Sequence, residues 1–318
     1  MTLLDANTPA KGAQVDLQRL LALRFVARQF DTRKRQRALA KLAGSQRSNF
    51  RGRGIEFEEV RGYQPGDDIR AIDWRVTART GDAHTKLFHE ERERPVLLVV
   101  DQRAGMNFGS RNCFKSVLAA EICALLAWSA LDKNERVGAL LIREQGHWEM
   151  RPKNSRRNVL ALLSALADGG TIDAGTKEPS AEREDAHGES FLDGLRSLRR
   201  VARPGSSVFL ISDFNGALEE EAGREFFQLA RHVEITAIHC SDPLEQQLPP
   251  ADRYCVTDGQ RRAELSTASR ALRENYADDF AQRLAAIRHD LQRLGVPLLE
   301  ASTESIPLAL LRQFFGNN

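Results

Sequence analysis

Hydrophobic positions along the chain follow two alternating patterns. Short aliphatic runs at Val96–Val100, Val137–Ile142, Val208–Ile211 and Val233–Ile238 are rich in branched residues. All four read as strands, and Val96–Val100 and Val208–Ile211 as strands buried within the sheet. Between and after them helices are predicted over Asn112–Leu131, which is apolar over most of its surface, Arg156–Ala167, with Val159, Leu160, Leu162, Leu163 and Leu166 as its stripe, Ser190–Val201, Leu218–Arg231 and Ser269–Leu294. Gly295 stops the last of these, and Val296–Leu299 and Ile306–Phe315 predict a final strand and helix. Gly146–Met150 predicts an antiparallel return at the sheet edge. Strands alternating with helices predict an α/β fold, a mostly parallel sheet with helices on both faces.

The first third of the chain is patterned differently. Residues 1–14 show no periodicity and are expected to be disordered. Residues 15–44 predict an N-terminal helix with Leu20, Leu23, Ala27 and Phe30 on its apolar stripe. Its polar face is basic, and Arg33, Lys34, Arg35 and Arg37 are the residues expected to meet an acidic partner. A merely solvated face packed on the main domain is the bland alternative. Residues 45–93 read as a small β-rich subdomain, with strands within 252–266 as its candidate completion. Trp74 is expected to be a buried anchor joining it to the sheet domain, with a partner contact as the alternative. Residues 94–318 form the main domain, and the aperiodic polar stretch 168–188 reads as a mobile insertion.

Two buried strands end in aspartate, at Asp101 and Asp213. In open α/β sheets the carboxyl edge is where ligands bind, so these two acids mark the candidate site. Charge is balanced, with a formal net of +2, which argues against a whole-protein polyanion binder. Four cysteines form no CxxC pair and seven histidines form no HExxH pair. There is no Gly-x-Ser-x-Gly elbow and no P-loop, so no enzyme is expected. Cys113, Cys123 and Cys240 lie in apolar segments, which suits a reducing compartment. No apolar run reaches the roughly 20 residues of a membrane helix, and the expectation is a cytoplasmic protein without a membrane span.

A resemblance extends this reading. The signature runs through Gly52-Arg53-Gly54-x-Glu56-Phe57, Arg61-x-Tyr63-x-Pro65-Gly66-Asp67-Asp68, Arg70-x-Ile72-Asp73-Trp74 and Ala78-Arg79. It continues at Glu91-Arg92, Phe108-Gly109, Ser212-Asp213-Phe214 and Asp242-Pro243-x-Glu245. These motifs resemble the prokaryotic "domain of unknown function fifty-eight" family, similar in turn to von Willebrand factor A domains. The resemblance implies a von Willebrand factor A-like, Rossmann-like fold. It implies a non-enzymatic adaptor that partners a MoxR-type AAA+ ATPase chaperone, and other von Willebrand A-domain proteins as further partners. Nucleic-acid binding through the basic helix and metal-dependent hydrolysis at the two aspartates are the alternatives.

Von Willebrand A domains hold Mg²⁺ through a DxSxS loop, a Thr and a second Asp, all hard oxygen ligands. Here Asp101 and Asp213 match, and Ser190 or Thr171 falls nearest the Thr position. Arg103 and Gly105 replace the two serines, so the implied site is degenerate and no cofactor is expected. One reading has Arg103 replacing the metal by bridging the carboxylates. The other has it pointing into solvent.

Overall fold

The computed structural model describes residues 7–32, 55–64, 69, 72–90, 95–144, 146–169, 186–217, 219–257 and 262–316. Contacts divide the chain into two units, one of residues 1–44 with 95–318 and one of residues 45–94.

Helix α1 spans Leu17–Ala22, capped by the Asp16 carboxylate, and is followed by 3₁₀ turns at Leu23–Phe25 and Ala27–Gln29. The predicted stripe is right, since Leu20, Leu23, Ala27 and Phe30 are all buried. The single long helix is not: the indole N–H of Trp128 donates to the Leu20 carbonyl and the Ser129 hydroxyl to that of Phe30. Tertiary donors thus serve carbonyls of this segment, and tight turns replace a continued helix. Residues 7–14 are ordered against the main unit. Ala10 is fully buried and Gly12 exchanges backbone hydrogen bonds with Asn112 and Phe114. Their composition suggested disorder, but these backbone pairs and the burial of Ala10 fix them.

The second unit holds strands β1 (Ile55–Gly62) and β2 (His84–Glu90), antiparallel with a bulge between Phe57 and Glu59. Between them Trp74–Thr80 is a helix, α2, where a β-rich reading was expected. Asp73 decides this locally: its carboxylate accepts from the amides of Arg75 and Val76, an N-cap. Gly81, in the left-handed region at φ 85°, ends the helix. Trp74 is 67% exposed and is no buried anchor. It occupies the first position of the helix.

In the main unit the elements follow in order as β3 (Val96–Asp101), α3 (Lys115–Asp132), β4 (Val137–Ile142), β5 (His147–Lys153), α4 (Arg156–Ala167), α5 (Ala186–Val201), β6 (Ser207–Ser212), α6 (Glu220–Ala230) and β7 (Glu234–Ser241). Then come α7 (Pro243–Gln246), β8 (Arg253–Thr257), β9 (Arg262–Ser266), α8 (Arg270–Arg293), β10 (Leu298–Ser302) and α9 (Pro307–Phe315). Six strands form one sheet in the order β10-β7-β6-β3-β4-β5. All pairs are parallel except β4 with β5, the expected antiparallel return at the edge. Counted in chain order within the sheet this is 3-2-1-4-5-6, a doubly wound topology with its switch point between β3 and β6. Among the described residues strands β8 and β9 pair only with each other, within the main unit.

Side chains of β3 alternate between two cores. Val96, Leu98 and Val100 join α3, α4, α9 and the N-terminal segment; Leu97 and Val99 join α5, α6 and α8. Helix α3 is buried nearly all round because the sheet lies on one side and the 17–30 segment, α4 and α9 on the others. No helix among the described residues is long and apolar enough to cross a membrane.

Candidate functional site

Strand pairing brings the two sequence-marked acids together. Asp101 is the last residue of β3, and Asp213 is the residue after the neighbouring β6. Both stand at the carboxyl edge, at the switch point.

Asp101 is fully buried. Its Oδ1 accepts from the Arg103 amide and Nε, each at 3.0 Å. Its Oδ2 accepts from Arg103 Nη2 at 2.7 Å and the Ser212 hydroxyl at 2.6 Å. The Arg103 side chain therefore folds back over its own loop and grips the carboxylate in a fork. Its Nη2 also donates to the Asn215 carbonyl at 2.9 Å and lies 4.0 Å from Asp213 Oδ1. The guanidinium sits over the Phe191 ring, 4.9 Å from its centre. Burial works against this charge, but Asp101 and then Asp213 outweigh it, and the Arg103 pKa is raised.

A second cation enters from the other side. Lys115 opens α3 and is 1% exposed. Its Nζ donates to Asp213 Oδ2 at 3.0 Å and to Glu245 Oε1 at 2.5 Å. Burial would lower its pKa, yet the Asp213 and Glu245 carboxylates raise it. For Asp213, burial pushes the carboxyl up, and Lys115, the Asn215 amide and Arg103 bring it below the ordinary range. The row Asp101, Arg103, Asp213, Lys115, Glu245 thus alternates in sign across the edge.

Beside it, Asp242 caps α7 and accepts from the Ser110 amide and hydroxyl and from the Thr303 hydroxyl, the last at 2.6 Å. Glu245 closes the capping box by accepting the Asp242 amide at 2.8 Å. These bonds hold the Asp242 carboxyl below its usual range against the effect of burial.

A family model described as "Protein of unknown function DUF58" matches residues 59–286. This chain belongs to the DUF58 family. Uncharacterized proteins of Mycobacterium tuberculosis and Mycobacterium bovis are 31% identical over 274 residues, covering 84% of this DUF58 chain and 80% of theirs. Among solved structures, the conserved hypothetical protein BatB from Bacteroides thetaiotaomicron matches at a TM-score of 0.36 and 12% identity, over 63% of this chain and 98% of that one. An aerotolerance-related membrane protein from Bacteroides fragilis matches at 0.37 and 12%, over 68% and 96%. Likeness at that level says nothing about function.

A divalent cation of the von Willebrand A kind does not fit between the aspartates. The positions that would offer serine oxygens are Arg103 and Gly105, and two cationic side chains already contact the carboxylates. The cavity left among Asp101, Arg103, Gly105, Met106, Asp213 and Asn215 is about 10 Å³, room for one water at most. Among the described residues no group of three or more His, Cys, Asp and Glu is arranged to hold a metal ion.

Of the other candidates, Ser190 lies on α5 with its side chain outside the described residues, as is all of Thr171. Arg33, Lys34, Arg35, Arg37, Gly52, Arg53, Gly54, Gly66 and Asp67 also lie outside them. The Glu56 backbone is in β1. The Tyr63 amide donates to the Ala83 carbonyl, and Asp73 serves as the N-cap of α2. Arg79 is exposed on that helix. Sequence reasoning missed Lys115. The available signal was a lysine at a helix N-terminus, where the helix dipole disfavours positive charge unless carboxylates are near.

Proposed function

We propose that this DUF58 chain is a non-enzymatic interaction module on a von Willebrand A-like scaffold, presenting the carboxyl edge of its sheet to a MoxR-type AAA+ ATPase in the cytoplasm. The doubly wound order with one antiparallel edge strand supports the scaffold reading. The observation that carries the functional reading is the self-saturation of the switch point. A general base needs a pKa near neutrality and access to substrate. Asp213 is held low, and Asp101 is fully buried beneath Arg103 and Ser212. What the edge offers outward is surface: Phe108, 40% exposed on the loop from β3 to α3, and the rim carboxylate of Glu245.

The test is capture of a purified MoxR-type ATPase from the same organism, with and without ATP. The native chain is expected to retain it and Phe108→Asp to lose it, with the melting temperature unchanged. Equal capture by both proteins would move the contact off this edge, and no capture would end the adaptor reading. Hydrolytic turnover abolished by Asp101→Asn would replace that reading with an enzyme.

A further inference from the structure

We infer that Arg103 and Lys115 together stand in for a divalent cation, so that the β3/β6 edge is locked by charges of its own chain and is indifferent to metal. Three observations converge. The first is charge: a guanidinium and an ammonium supply two positive charges, the number a divalent ion would bring to Asp101 and Asp213. The second is placement. Arg103 forks onto both oxygens of Asp101 and reaches 4.0 Å from Asp213, while Lys115 takes the far oxygen of Asp213 at 3.0 Å. The third is space. Phe191 covers the guanidinium, and the remaining gap of about 10 Å³ leaves no place for an ion with its own waters.

Both cations are needed. With Arg103 alone, Asp213 would keep only a distant partner and a backbone amide at 3.0 Å. With Lys115 alone, the fully buried Asp101 would have no cation in contact. The two side chains come from different elements, the loop after β3 and the first turn of α3. The pair therefore also ties the loop and helix to the edge, as a bound ion would. Gly105 completes the exchange: a Cβ built there would stand 3.0 Å from Asp213 Oδ2, so a side chain at this position lies against that carboxylate. The lock does not depend on the ATPase reading, since it is a property of the chain by itself.

The test uses MnCl₂ as the probe. Calorimetric titration of the native chain is expected to show no site, and its melting temperature to stay constant from zero to 5 mM Mn²⁺. In spectra of the native protein the Arg103 Nε–H and Lys115 ammonium signals should be slow to exchange and unbroadened by Mn²⁺. The double variant Arg103→Ser/Gly105→Ser should still bind no Mn²⁺, because Lys115 remains on Asp213. Adding Lys115→Met should create one Mn²⁺ site that raises the melting temperature of that triple variant by several degrees. Stoichiometric Mn²⁺ binding by the native chain that is lost in Asp101→Asn overturns the inference. So does a folded triple variant that ignores Mn²⁺. Should the variants fail to fold, the native spectra decide: rapid exchange or Mn²⁺ broadening of the two signals refutes the lock, and protection supports it.

Discussion

The Ser212 hydroxyl donates to Asp101 Oδ2 at 2.6 Å while accepting the Phe214 amide at 2.9 Å. One oxygen thus joins the buried carboxylate to the turn that carries Asp213. Phe214 sits in the left-handed region at φ 57°, so that turn needs fixed partners. Ser212→Ala removes a donor from the buried Asp101 side chain and an acceptor from a backbone amide. A loss of about 1–3 kcal/mol is expected, read as a lower urea midpoint with an unchanged slope. An unchanged midpoint would show that neither bond matters to stability.

Lys115→Met keeps the volume and removes the charge between Asp213 and Glu245. Breaking a buried pair on one side costs about 3–5 kcal/mol at neutral pH. The pH dependence has a fixed sign. Although burial pushes the Asp213 carboxyl up, Lys115 foremost brings it below its ordinary range. An acid depressed by folding gives stability that is complete above its unfolded pKa, about 4, and is lost as pH falls through the folded value. The gap between native and variant should therefore be widest near pH 7 and shrink below pH 4. Urea unfolding at pH 3, 5 and 7 checks this, and a gap independent of pH would remove Asp213 from the account.

Much of the main unit was legible because the central β-runs are aliphatic on both faces and helices such as α4 carry a clear apolar stripe. That Asp101 and Asp213 each close a buried strand was legible in those runs, and the pairing of β3 with β6 makes the two acids neighbours. Two kinds of information were not legible. One was local competition: Asp73 caps a helix inside a stretch otherwise rich in strand formers, and Trp128 takes a carbonyl from a segment with a good helical stripe. The other was distance along the chain. Lys115 and Glu245 are 130 positions apart, and no spacing rule links a lysine at one helix start to a carboxylate at another.

A buried ion pair fastens the N-terminal segment. Arg19 pairs with Glu121 of α3 through both carboxylate oxygens, and Arg19 Nη2 also donates to the Thr8 and Pro9 carbonyls at 3.3 and 3.2 Å. Burial raises the Glu121 pKa even with Arg19 in place. Arg19→Met leaves that carboxylate alone, and it should take up a proton more readily still. A loss of about 3–5 kcal/mol is expected at pH 8. Because an acid raised by folding costs stability above its unfolded pKa, part of the loss should return by pH 5. Hydrogen exchange at Gly12 and Phe114 should speed up in the variant at pH 8, and unchanged exchange there would uncouple the ion pair from the docking of residues 7–14.

The loop that delivers Lys115 depends on the absence of a side chain at Gly109. A Cβ built there would lie 1.9 Å from the Cys113 carbonyl oxygen and 2.9 Å from Phe114 Cα. Both obstacles are backbone, so no rotamer change relieves them. Phe114 is the residue before α3, and the Lys115 amide donates to the Phe108 carbonyl at 2.8 Å across the same loop. Any shift that admits a methyl must therefore move the start of α3 or break that bond. Gly109→Ala is expected to cost at least the roughly 1–3 kcal/mol typical of overpacking. It should also disturb the charge row while leaving distant core signals such as those of Phe226 and Leu229 in place. Faster exchange of the Lys115 ammonium in the variant is the specific readout. A destabilised variant whose Lys115 ammonium stays protected would mean that the loop yields elsewhere and that Gly109 does not position the lysine.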